Sequence, residues 1–186
     1  MPGHFRIEGH AIASEDGMIA DSTGLMPNSL KFPSDQKLYE QALQGATVVV
    51  NGRLSYEWQA NSPQRRRLVP TRRVAGLAPD PDNPNARLWN PMGASLEEAC
   101  RALGIDAGLI AVIGGPFVFS LFLKFGYDAF YLSHAPHVRL PGGVPVFLEQ
   151  AAGRSPDDVL VAAGLRAGPG QRFDDGVTMV EWRRSA

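Results

Sequence analysis

The sequence predicts an α/β fold: three layers around a mostly parallel central sheet, with an antiparallel edge at its C-terminal end. Three observations carry that prediction. Short β-branched or apolar runs, such as TVVV at 47–50 and LIAVI at 109–113, alternate with segments of helical spacing. Those runs are apolar at successive positions, as parallel strands covered on both faces are. The late strand-like runs DAFYLSHAPHV at 128–138 and VTMVEWRR at 177–184 are hairpin-like, which suits an antiparallel edge.

In chain order, FRIEGHAIA at 5–13 reads as the first strand. Glu15-Asp16-Gly17 marks a turn, and Met18 to Leu30 reads as a loop with little periodicity. Pro33-Ser34-Asp35 starts a helix on which Asp35, Leu38, Tyr39, Ala42 and Leu43 follow helical spacing, and Gly45 stops it. TVVVNG is the next strand. Residues 58–72 are polar and basic, with Arg65, Arg66 and Arg67 read as a solvated loop face. Arg73 to Ala78 is a strand candidate, and PDPDNPNA at 79–86 reads as a surface loop from its Pro, Asp and Asn content. Ser95 caps a helix with Glu97 and Glu98 in its first turn, where the helix dipole favours them, and Gly104 ends it. LIAVIGG is a buried strand and Pro116 to Phe125 an apolar helix. A turn-rich stretch separates DAFYLSHAPHV from the closing VTMVEWRR.

The 186 residues suffice for one domain, and no linker or repeat divides them, so residues 1–186 are read as a single domain. A hydrophobic share of 44% supports a sizeable core. The net charge of −1 gives no electrostatic reason to expect nucleic acid or an anionic membrane as partner. No apolar run is long enough to span a bilayer, and the first residues lack a signal-peptide pattern. The lone Cys100 allows no intrachain disulfide and reads as a small core residue. The expectation is a cytoplasmic protein. The four histidines form no metal-ligand set. Oligomeric state is not readable, and a homodimer stays open.

Two strand ends carry chemistry. In a parallel sheet, ligands bind beyond the carboxyl ends of the strands. After TVVVN, Gly52 lets a ligand approach the backbone, Arg53 offers a fixed positive charge and Ser55 a hydroxyl. The alternative there is a capped helix with a solvated arginine. After LIAVI, Gly114-Gly115-Pro116 is either a phosphate cradle opening a helix or a tight strand-to-helix turn. Neither G-x-G-x-x-G nor G-x-x-x-x-G-K-[ST] is present.

The ordered set HAIASEDGMIA, PSDQKLYEQAL, VVVNGRLSYE, LVPTRR, IAVIGGPFVFSLFL, AFYLSHA and TMVEWRR resembles the dihydrofolate reductase superfamily over nearly the whole chain. That superfamily includes the reductase domain of the bifunctional riboflavin-pathway deaminase–reductases. The resemblance implies a dihydrofolate reductase-like fold and NADPH as cofactor. It implies that Ala11 and Ile19 line the nicotinamide, and that Gly52, Arg53, Leu54 and Ser55 hold phosphates, with Arg53 on the 2′-phosphate. Gly114 and Gly115 match the diglycine that approaches the cofactor, with Phe117, Val118 and Phe119 just beyond. Asp35 matches the carboxylate that pairs with the amino-pyrimidine edge of a pterin and assists its protonation; its alternative is a helix cap. Tyr39 matches an aromatic that packs on substrate, Ser133 a hydroxyl supporting the carboxylate, and Arg72 the arginine for the glutamate tail of folate.

There are departures. LMPNSLKFP at 25–33 lacks the family's Pro-Trp pair and has two extra residues before Asp35, while SEDGMIAD at 14–21 looks more like the riboflavin-pathway reductases. The zinc signature of the deaminases is missing. The implied activity is hydride transfer from NADPH to a dihydropterin. The alternatives are a riboflavin-pathway reduction of a ribosylamino-pyrimidine, and an NADPH-binding protein without turnover.

Overall fold

The computed structural model describes residues 4–53 and 62–184. Its centre is a nine-stranded sheet in the order β10-β11-β8-β1-β7-β3-β4-β6-β5. The strands are β1 (Phe5–Ala13), β3 (Val48–Asn51), β4 (Arg67–Pro70), β5 (Leu77–Asp80), β6 (Asn83–Trp89), β7 (Gly108–Gly114), β8 (Ala129–His134), β10 (Leu165–Arg172) and β11 (Thr178–Arg184). β2 (Met18–Ala20) and β9 (Val144–Pro145) form a separate antiparallel ribbon. The helices are α1 (Pro33–Gly45), α2 (Leu96–Arg101), α3 (Pro116–Phe125) and α4 (Pro156–Ala162). From β8 across to β6 every neighbouring pair is parallel. β11 runs antiparallel to β8, and β10 to β11. The predicted fold class holds, antiparallel C-terminal edge included.

Alternation along the strands sorts the two faces. Ile7, Val48, Val50, Ile110, Val112, Phe130 and Leu132 join Val118, Phe119 and Phe122 of α3, together with residues of α2 and α4, in the main core. Each fully buried phenylalanine there contributes about 1.5–3 kcal/mol. The opposite face carries Ile12 and Ser133, which pair across β1 and β8. α1 lies on that side. A smaller core of Ile12, Leu30, Ala135, Val138 and Val177 joins the segment before α1 to the turn between β10 and β11. α2 begins as predicted: Ser95 Oγ accepts from the Glu98 N–H at 3.1 Å while Glu98 accepts from the Ser95 N–H at 2.7 Å.

Four expectations are corrected. The loop at Met18 to Leu30 contains β2 and a single 3-10 turn at Asn28–Leu30. The strand candidate at Arg73 to Ala78 is displaced: Arg67–Pro70 and Leu77–Asp80 are the strands. The loop at 79–86 is a hairpin, because proline is tolerated on an outer strand and before a ladder begins. Pro79 lies on the edge strand β5, and Pro84 precedes Ala86, where β6 starts to pair with β4. The fourth correction is Arg67. It is buried within β4, not solvated, and donates to Asn51 Oδ1 at 2.7 Å and Ser62 Oγ at 3.0 Å. The turn-rich stretch also yields α4, whose Ser155–Asp158 capping box and leading Pro156 were available signals.

Candidate active site

The two glycine-bearing strand ends are one place. β3 and β7 are neighbours, Asn51 stands opposite Gly114, and the Gly52 N–H donates to the Gly114 carbonyl at 2.9 Å. Gly115, at φ 75° and ψ 150°, is the residue from which α3 departs, with Pro116 in the first helical position. That backbone conformation belongs essentially to glycine. A helix start leaves its first N–H groups without intrahelical partners. The Phe119 N–H is already spent on the Gly115 carbonyl at 3.0 Å, so the N–H groups of Phe117 and Val118 are the ones that geometry offers to an anion. The side chains of Val118 and Phe119 lie in the core, and that of Phe117 is exposed.

Beneath this cradle, Asn51 is buried and donates from Nδ2 to the Gly52 carbonyl at 3.0 Å while accepting from Arg67. Arg67 thereby ties residues 51–52 to Ser62. Arg53 follows and is exposed. Leu54 and Ser55 lie outside the described residues. A glycine-lined approach and a helix start fit the phosphates of a dinucleotide, with the exposed Arg53 next in sequence to Gly52.

Ala11 of β1 and Ile19 of β2 are half-buried and pack against the main core. The SEDG turn between them is fixed by its own polar atoms. Ser14 Oγ donates to Asp16 Oδ1 at 2.6 Å and accepts from the Met18 N–H at 2.9 Å, while Asp16 accepts from the Leu140 N–H at 3.0 Å. Gln150 Nε2 donates to the Gly17 carbonyl at 3.0 Å.

Asp35 sits in the first turn of α1, near enough to the buried Ser133 of β8 for that hydroxyl to favour its ionised form. Burial pushes its carboxyl up to about 6; the Ser133 hydroxyl opposes the rise and the nearby Asp175 carboxylate adds to it. Asp35 does not cap α1. That role falls to Asp175, in the turn between β10 and β11, which accepts from the Ser34 N–H at 3.0 Å and from Ser34 Oγ at 2.8 Å. Sequence reasoning missed Asp175, since DDG at 174–176 signals only a turn and nothing ties it to a helix some 140 residues earlier. Tyr39 is half-buried one helical turn after Asp35. Arg72 is exposed just past β4, three strands across from β1. The structure therefore brings Asp35 and Ser133 together and leaves Arg72 apart from that pair.

No protein-family model matches the sequence, and no curated protein matches it. Solved structures do. A Shewanella sp. PV-4 protein named for riboflavin biosynthesis superposes with a TM-score of 0.67 at 18% identity, covering 97% of this chain and 99% of that one. Dihydrofolate reductase from Enterococcus faecalis, solved with NADP(H), superposes with a TM-score of 0.64 at 16% identity over 97% of each chain. The protein has the dihydrofolate reductase fold. The Thermotoga maritima diaminohydroxyphosphoribosylaminopyrimidine deaminase/5-amino-6-(5-phosphoribosylamino)uracil reductase shares that fold, with a TM-score of 0.66 at 18% identity. The present chain covers 57% of that bifunctional protein, and 98% of this chain is matched. No helix among the described residues is long and apolar enough to cross a membrane.

Proposed function

We propose that the protein is an NADPH-dependent reductase that delivers hydride to a C=N bond of a dihydropterin. The observation that carries this reading is a half-buried carboxyl, Asp35, held against Ser133 at the end of the strand beside β1, on the sheet whose β3 and β7 ends form the glycine cradle. The nicotinamide, when bound, supplies the hydride. Every other task falls to the chain. Gly52, Gly114, Gly115 and the start of α3, with the N–H groups of Phe117 and Val118 and the neighbouring Phe119, hold the phosphates. The phosphate role expected of Leu54 and Ser55 falls outside the described residues, and Arg53 would take the 2′-phosphate with its fixed positive charge. Ala11 and Ile19 bracket the nicotinamide ring. Asp35 grips the amino-pyrimidine edge with two oxygens, Ser133 orients it, and Tyr39 packs on the ring. With its carboxyl near 6, Asp35 holds a proton in a useful fraction of molecules near neutral pH. Arg72 takes the acidic tail of the substrate.

A second reading, reduction of a riboflavin-pathway ribosylamino-pyrimidine, is favoured by the ordered SEDG turn and by the separation of Arg72 from Asp35. The test is nicotinamide absorbance with dihydrofolate, dihydrobiopterin and the riboflavin intermediate assayed side by side. Dihydropterin turnover supports the first reading, and turnover of the intermediate alone supports the second. NADPH binding with no turnover of any of them overturns both and leaves a cofactor-binding protein.

A further inference from the structure

The substrate half of the site is closed by a residue from the far end of the chain. Asp175 accepts two hydrogen bonds from Ser34, the residue before Asp35, and a third from the Val177 N–H at 3.4 Å. Val177 anchors the small core that also holds Leu30 and packs against Phe32, immediately ahead of α1. Two residues on, Met179 pairs with Ser133, whose hydroxyl acts on the Asp35 carboxyl. Asp35 is thus held from two sides by one stretch of chain: through Ser34 by Asp175, and through Ser133 by β11. α1 has no capping side chain of its own, since Phe32 precedes it.

We propose that Asp175 is a positioning residue for Asp35, fixing the first turn of α1 from the β10–β11 turn and placing a second carboxylate beside it. This rests on the reductase reading for its catalytic consequence but not for its geometry. Among the described residues, the groups that act on the Asp35 carboxyl are the uncharged Ser133 from β8 and the charged Asp175 from the turn. Burial raises the Asp175 carboxyl, but its bonds to Ser34 and Val177 outweigh that and hold it below its ordinary value. Asp175 therefore stays ionised where Asp35 titrates. Its repulsion favours the protonated form of Asp35, the form that can donate a proton.

The test is a carbon-13 titration of the Asp35 carboxyl in the whole protein without substrate. In the wild type the midpoint should lie near 6. Asp175→Asn keeps an acceptor for Ser34 and removes the charge; the midpoint should fall by about half a pH unit or more. Asp175→Glu should restore it. If the reductase reading holds, the alkaline limb of kcat/KM moves by the same interval, and the rate above pH 7 falls about threefold. The wild type offers a second arm that needs no variant. Added salt screens charges near the surface, so it should lower the Asp35 midpoint. Coincident midpoints in wild type and Asp175→Asn, or a wild-type midpoint indifferent to salt, overturn the proposal. Because the carboxyl titration needs no substrate, it judges Asp175 even if every reductase assay is blank.

Discussion

The two halves of the candidate site are built from different material. The half proposed for cofactor is backbone: Gly52, Gly114, Gly115 and the opening turn of α3, stitched by one N–H to carbonyl bond between neighbouring strands. The half proposed for substrate is side chain: Asp35, Ser133, Ser34 and Asp175, drawn from three elements far apart in sequence. A backbone cradle tolerates change in its side chains but not in its glycines. A side-chain cluster depends on charge and on each partner's placement. One half should therefore fail through conformation and the other through protonation.

The largest expected effect tests the side-chain half. Asp35→Asn should lower turnover of whichever substrate proves active by about 10²–10⁴, the scale of losing a positioned acid–base group. NADPH affinity should stay at the wild-type level, measured by titration. Near-wild-type turnover would dissolve the contrast. Next comes Arg53→Ala, which should weaken NADPH by about 1.5–3 kcal/mol and leave NADH unchanged, because only the former carries the extra phosphate. Equal losses for both cofactors would remove Arg53 from the cradle.

Gly115→Ala sharpens the backbone side. Its φ of 75° is hostile to an L-residue, so the change should cost about 1–3 kcal/mol of stability in addition to cofactor affinity. Thermal melting with and without NADPH separates the two losses. The smallest effect runs the other way. Asp35 is raised to about 6 in the folded state, above its value in the unfolded chain near 4. The stability linked to it is present at low pH and is lost as pH rises through 6. Asp35→Asn should therefore melt higher than wild type at pH 8, by about 1–2 kcal/mol, and show no such gain at pH 4.

This contrast also explains what the sequence revealed. Glycines at the ends of apolar runs announce a backbone cradle, because few other residues accept that geometry and the runs themselves place it at a strand's carboxyl end. Gly52 and Gly114 could be singled out separately, though only the parallel register of β3 and β7 makes them adjacent. Asp35 stood out only through the resemblance to the dihydrofolate reductase superfamily, since its place at a helix start suggests a cap instead. Asp175 did not, since a carboxylate in a Gly-containing turn looks like any other turn. Arg67 was misjudged for a related reason: three consecutive arginines read as solvent-facing, yet alternation in β4 turns the third inward onto Asn51. Among the elements, α4 and β10 escaped notice, the first because it is short and the second because Gly168, Pro169 and Gly170 interrupt any strand pattern.

β1 is synthesised before both of the strands that flank it in the sheet. Its partners are residues 108–112 on one side and 129–134 on the other. At ribosomal rates of about 5–20 residues per second, β1 waits about 6–25 s for both partners to exist. Until β7 emerges, the apolar residues of β1 have no neighbouring strand in the central sheet. The loops that must close exceed a hundred residues, so the fold belongs to the slow, non-local end of the kinetic range. A chain cut before Thr178 would assemble β1 but leave the edge of β8 unpaired and open to other chains. Soluble yield should therefore drop sharply when the last strand is removed.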